Sequence, residues 1–127
     1  MTVTYQAKRL ADMAGAMRLA RELVGHDRWS ADELEDLVTV LSKPDPRVPS
    51  NWSRRFKGNI ERLQSGDIFQ VAEVVRDLTV RDREKGLSAG EKRMLQRSRQ
   101  ILVSELVLAC HCDEGKAILL VDEALES

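Results

Sequence analysis

The sequence predicts an all-α domain, a compact bundle of five to six short helices. Three observations carry that expectation. Apolar residues recur at spacings of three and four through most of the chain, the period of one helix face. Gly25, Gly66 and Gly86 stand where those runs stop, and glycine takes the left-handed turn at a helix end most readily. No segment alternates strictly between apolar and polar residues, as a half-buried strand would.

Residues 5–24 place Leu10, Met13, Met17, Ala20 and Val24 on one stripe, with Gly15 weakening the helix in its middle. Ser30 and Glu33 have the spacing of a capping box and open a helix carrying Leu34, Leu37, Val38 and Leu41. Pro44, Pro46 and Pro49 then break the chain between Ser42 and Pro49, since each removes an amide donor and disfavours helix in the residue before it. Ser50 is expected to cap the next helix, whose stripe is Trp52, Phe56, Ile60 and Leu63. Asp67 opens a helix with Ile68, Val71, Val75 and Leu78 inward. A second capping box, Ser88 with Glu91, starts the longest helix, about 89–109, where Leu95, Leu102, Leu106 and Ala109 align and Ile101 and Leu108 widen the face. Asp113 caps a last helix with Ile118, Val121 and Leu125.

With 127 residues, the chain is one domain long and can bury a core without staples. A composition of 43% hydrophobic and 32% charged residues excludes a disordered or collagen-like chain. No apolar run is long enough to span a bilayer, and the N-terminus lacks an apolar signal core. Two cysteines make no disulfide framework, which points to a cytoplasmic protein.

No catalytic set emerges, and neither an enzyme, a cofactor nor a small-molecule substrate is expected. Gly86-Leu-Ser-Ala-Gly90 lacks the lysine of a phosphate loop and reads as a turn plus a cap. The cluster Asp32, Glu33, Glu35 and Asp36 suits the positive end of a helix and needs no chemistry to explain it. Cys110-His111-Cys112 offers three metal-binding side chains, but a structural zinc needs a fourth and adjacent residues point apart, so no metal site is expected.

Charge distribution is more informative than the net charge of −1. Residues 47–66 carry Arg47, Arg54, Arg55, Lys57 and Arg62 against Glu61 alone, whereas residues 106–127 carry one lysine against five carboxylates. A focused basic segment on a neutral protein favours oriented docking to a polyanion. Within it, Asn51-Trp-Ser-Arg-Arg-Phe-Lys57 puts two aromatics among three cations at a helix start. Spacing alone leaves two readings of Trp52. It heads an apolar stripe and can be buried, or it projects beyond the core as an apolar wedge beside cations that hold phosphates.

These residues resemble the C-terminal helical domain of the bacterial CarD/CdnL transcription regulators. The likeness runs from about residue 31 to the end. It rests on Asn51–Lys57, Ser65-Gly-Asp67, Val71–Leu78, Gly86–Leu95, Arg99–Leu106 and Asp122–Leu125. The resemblance implies a helical bundle that contacts promoter DNA, with low sequence specificity, at the upstream edge of the transcription bubble. There it helps RNA polymerase hold the open complex. Carried over, the minor-groove wedge falls on Trp52, phosphate contacts on Arg54, Lys57 and Arg55, and further backbone contacts on Lys92 and Arg93. Family members begin with a Tudor-like domain that binds the polymerase, and residues 1–29 do not resemble it. The chain therefore divides into 1–29 and a CarD-like unit, 30–127, and direct polymerase contact is not implied for it. The alternative reading is a helical protein-interaction module, or a truncated family member without independent activity.

Overall fold

The computed structural model describes residues 30–43 and 48–126. Among these residues there are five helices and no strand: α1 (Ala31–Ser42), α2 (Trp52–Gln64), α3 (Ile68–Glu84), α4 (Ala89–Cys110) and α5 (Glu114–Glu126). The expected helix over residues 5–24 lies outside the described residues, as does the centre of the proline linker, 44–47.

Local chemistry sets the ends of each helix. The Ser30 hydroxyl accepts from the Glu33 amide, and Asp67 accepts from Phe69. Asp113 accepts from the Lys116 amide at 2.8 Å, which starts α5 where the sequence places it. Ser88 and Glu91 complete the reciprocal capping box of α4. The cap of α2 differs from the expectation by one residue. Asn51, not Ser50, is the N-cap, because its side-chain oxygen accepts from the Arg54 amide three positions on, at 3.1 Å. Gly66 and Gly86 have φ of 77° and 80°, values that carry the chain out of α2 and α3 at little cost only without a Cβ. His111 ends α4 in the same left-handed region, at φ 49°, without a glycine to mark it in the sequence.

α3 is the central helix. It packs against α1, α2 and α4, while α5 closes the far side against α1 and α4. The main core joins Leu34, Leu37, Val38 and Leu41 of α1 to Val71 and Val75 of α3, Leu102 and Leu106 of α4, and Leu120 and Val121 of α5. These inward residues are those expected from the spacing apart from Leu120, which buries fully on α5 while the expected Ile118 is only half-buried, and one expected residue of α4 lies outside the core. Leu108 is 61% exposed rather than part of the core face. It lies two residues beyond Leu106, about 200° round the helix, and so points away from α3.

A second, smaller cluster lies under α2. Val74, Leu78 and Met94 form it, with Phe56, Ile60 and Leu63 half-buried against them. The apolar stripe of α2 therefore packs without being sealed, and the two buried residues of this helix are polar, Arg55 and Asn59. Arg62 completes the seam to α3, donating to Glu73, Asp77 and Asn59, while Arg76 bonds Asp77 and reaches the Val40 carbonyl of α1.

Truncation at the centre of the main core has a definite cost. Leu106→Ala should destabilise the domain by about 3 kcal/mol, through lost burial and a residual cavity. Urea unfolding should register it as a lower midpoint at an unchanged slope.

Candidate nucleic-acid interface

Trp52 is the first residue of α2, and one turn on, Phe56 meets it face to face. Their ring centroids are 4.7 Å apart and their planes 11° from parallel. The indole Nε1 donates to the Ser88 hydroxyl across the gap to α4, at 3.2 Å. With one face on Phe56 and its nitrogen held, Trp52 still leaves 46% of its surface exposed. The side chain is neither sealed in the core nor loose in solvent. Phe56 in turn lies beneath the start of α4, where a Cβ on Gly90 would rest 3.6 Å from its ring.

Beneath this pair runs a buried ionic contact. Arg55 Nε donates to Glu91 Oε2 at 3.0 Å, and both side chains are almost wholly buried. Arg55 Nη1 also donates to the Ser50 carbonyl. Arg55, expected to contact phosphate, instead has its guanidinium turned inward, bonded to Glu91 and to the Ser50 carbonyl. The other oxygen of Glu91 accepts from the Ser88 amide and hydroxyl. Burial alone would raise the Glu91 pKa, but the Arg55 bond, the two Ser88 bonds and the Arg55 charge together hold it below its ordinary value. Arg81 adds a second cation 4.0 Å from Glu91 Oε2, its Nε buried without a hydrogen-bond acceptor among the described residues.

Four of the expected contact residues share this end of the molecule. Arg54 and Lys57 are exposed on α2, and Lys92 and Arg93 are exposed at the start of α4. Among the described residues none of the four is in an ion pair. The Trp52–Ser88 bond also brings the N-termini of α2 and α4 together, and each contributes the positive end of its macrodipole. An exposed aromatic edge at two helix N-termini, on the two helices whose first turns carry exposed cations, is chemistry suited to a phosphate backbone with an accessible base step.

The other candidates stand apart from this face. Cys110 packs in the main core, and Cys112 is half-buried, its thiol pushed up by burial and by the neighbouring Asp113 charge. Among the described residues no group of three or more His, Cys, Asp and Glu is arranged to hold a metal ion. None of their helices is long and apolar enough to cross a membrane. Sequence reasoning missed the roles of Ser88, Phe56 and Glu91 at the site. Ser88 and Glu91 were visible only as a local capping box, since a partner 36 residues away leaves no trace in spacing.

Because the folded Glu91 carboxyl ionises below its unfolded value, its stabilising contribution is complete above the ordinary value of 4.5 and is lost as pH falls through the folded value. Glu91→Gln should be less stable than the parent at neutral pH. The gap should narrow on acidification below about pH 4.5 in urea unfolding at stepped pH. A gap independent of pH would remove the ionised carboxylate as its cause.

With the geometry in place, comparison with known proteins gives a consistent result. The Bacillus subtilis (strain 168) protein named "Putative transcription factor YdeB" is 46% identical over 55 residues, which cover 43% of this chain and 36% of that protein. The chain thus matches about a third of that relative's length. Residues 36–122, roughly two thirds of the chain, match the family described as "CarD, C-terminal domain". The chain belongs to that family.

Proposed function

We propose that residues 30–127 form the DNA-contacting unit of a non-enzymatic transcription regulator, acting on promoter DNA in the cytoplasm. The exposed edge of Trp52 inserts at the minor groove of a bubble edge. Arg54 and Lys57, with Lys92 and Arg93 beside them, neutralise the flanking phosphates. The observation that carries this reading is a half-exposed indole where two helix N-termini meet, with Arg54, Lys57, Lys92 and Arg93 exposed on those same two helices. Family membership and the name of the Bacillus relative support the transcriptional setting.

Physics explains the preference for melted DNA. Inserting an apolar side chain into an intact duplex costs a few kcal/mol of unstacking, and at a bubble edge part of that cost has already been met. A protein that binds the open state better shifts the closed–open equilibrium by its differential affinity and by no more. Sequence specificity is low because the minor groove carries a degenerate code. In this proposal the described residues contact DNA, and no contact with RNA polymerase is assigned to them.

A second reading, a protein-interaction module, draws on a different surface. Leu108 and Leu119 are exposed, and a groove of about 550 Å³ between α4 and α5 is lined by Val103, Val107 and Ile118. It predicts partner capture that is indifferent to Trp52.

Fork-junction DNA should bind more tightly than plain duplex of the same length, and Trp52→Ala should erase most of that difference. Affinity should fall steeply with salt, with a slope reflecting roughly three to five phosphates. A Trp52→Ala protein that keeps the full fork preference in a titration would sink the wedge.

A further inference from the structure

We propose that Ser88 is the positioning residue of the Trp52 indole, fixing the ring before DNA arrives through a closed hydrogen-bonded circuit with Glu91 and Arg55. The DNA-binding part of this inference rests on the function proposed above; the order of the ring in the DNA-free protein does not.

Two torsions set an indole on the first turn of a helix. The Phe56 stack constrains its tilt but leaves it able to slide and turn within its own plane. The Nε1 bond to Ser88 removes that remaining freedom. Ser88 is fit for this task because its hydroxyl has no spare capacity. Its one proton goes to Glu91 Oε1 at 3.0 Å, and its oxygen accepts from the Glu91 amide and from the indole, each at 3.2 Å. Rotating away to serve another partner would cost the cap of α4.

Glu91 is fixed in turn. Arg55 holds its second oxygen, and the same guanidinium bonds the Ser50 carbonyl, two residues ahead of Trp52. The circuit therefore leaves the backbone before α2, crosses to the start of α4 and returns to the first side chain of α2. A ring ordered in this way loses little freedom on insertion, and that saving appears as affinity for the disturbed base step. The exposed cations take no part in the circuit, so attraction to plain duplex does not depend on it.

The test uses the full chain carrying Trp29→Phe, which leaves Trp52 as its one tryptophan. Ser88→Gly removes the hydroxyl yet keeps a residue that caps helices nearly as well, and Ser88→Thr restores the hydroxyl. Two quantities are read: the anisotropy decay of the indole without DNA, and the affinities for fork-junction and plain duplex oligonucleotides at fixed salt. The glycine variant should show new fast motion of the ring and about a fivefold loss of fork affinity, with duplex affinity nearly unchanged. The threonine variant should recover both. Indole decay unchanged in Ser88→Gly overturns the inference. So does a loosened ring with undiminished fork affinity, in a protein whose Trp52→Ala variant has lost the preference. If Trp52→Ala itself keeps the preference, the DNA-binding part falls together with the proposed function, and the anisotropy alone then decides whether Ser88 orders the ring.

Discussion

The contact on which the candidate interface depends is the buried ion pair between Arg55 and Glu91. It joins the first turns of two helices 36 residues apart, where the apolar cluster beneath α2 is small. Burying two charges is costly, and such a pair is tolerable only when its remaining hydrogen-bonding groups are satisfied. Here Ser88 takes one carboxylate oxygen and the Ser50 carbonyl takes a guanidinium donor. An apolar pair of similar volume could hold the helices as firmly. What the ionic pair adds is direction, since it fixes how α2 is rotated about its axis and so which side of Trp52 faces outward.

That constraint explains why adjacent arginines behave differently. Arg54 and Arg55 are indistinguishable as letters in a basic run, yet consecutive residues on a helix point about 100° apart. One is exposed while the other is buried against a carboxylate from elsewhere in the chain. Charge counts therefore overstate the cationic surface of this segment.

Much of the fold was legible because its signals are local. Leu34, Leu37 and Val38 repeat at helical spacing and are buried, and Gly66, Gly86 and the Ser88–Glu91 box mark boundaries within one or two turns of themselves. The Trp52 face was legible as a combination of residue types, and the likeness to CarD-type regulators sharpened it. What stayed hidden depends on contacts that spacing does not encode: Ser88 at the indole nitrogen, Glu91 against Arg55, and Phe56 backing the indole as well as packing on the small cluster. The slip from Ser50 to Asn51 as cap has a smaller cause. Both residue types cap well, and only the position of the first helical amide distinguishes them.

The polar character of the α2 seam bears on how the molecule opens. α1, α3, α4 and α5 share one continuous apolar interior, whereas α2 is attached by the half-buried Phe56, Ile60 and Leu63 and a set of hydrogen bonds and ion pairs. Sub-global opening follows the weakest apolar attachment, so the amide protons of α2 belong to the first cooperative unit to exchange with deuterium while the other four helices stay protected. The element that carries the indole is thus also the one whose opening should leave the apolar interior of the other helices intact.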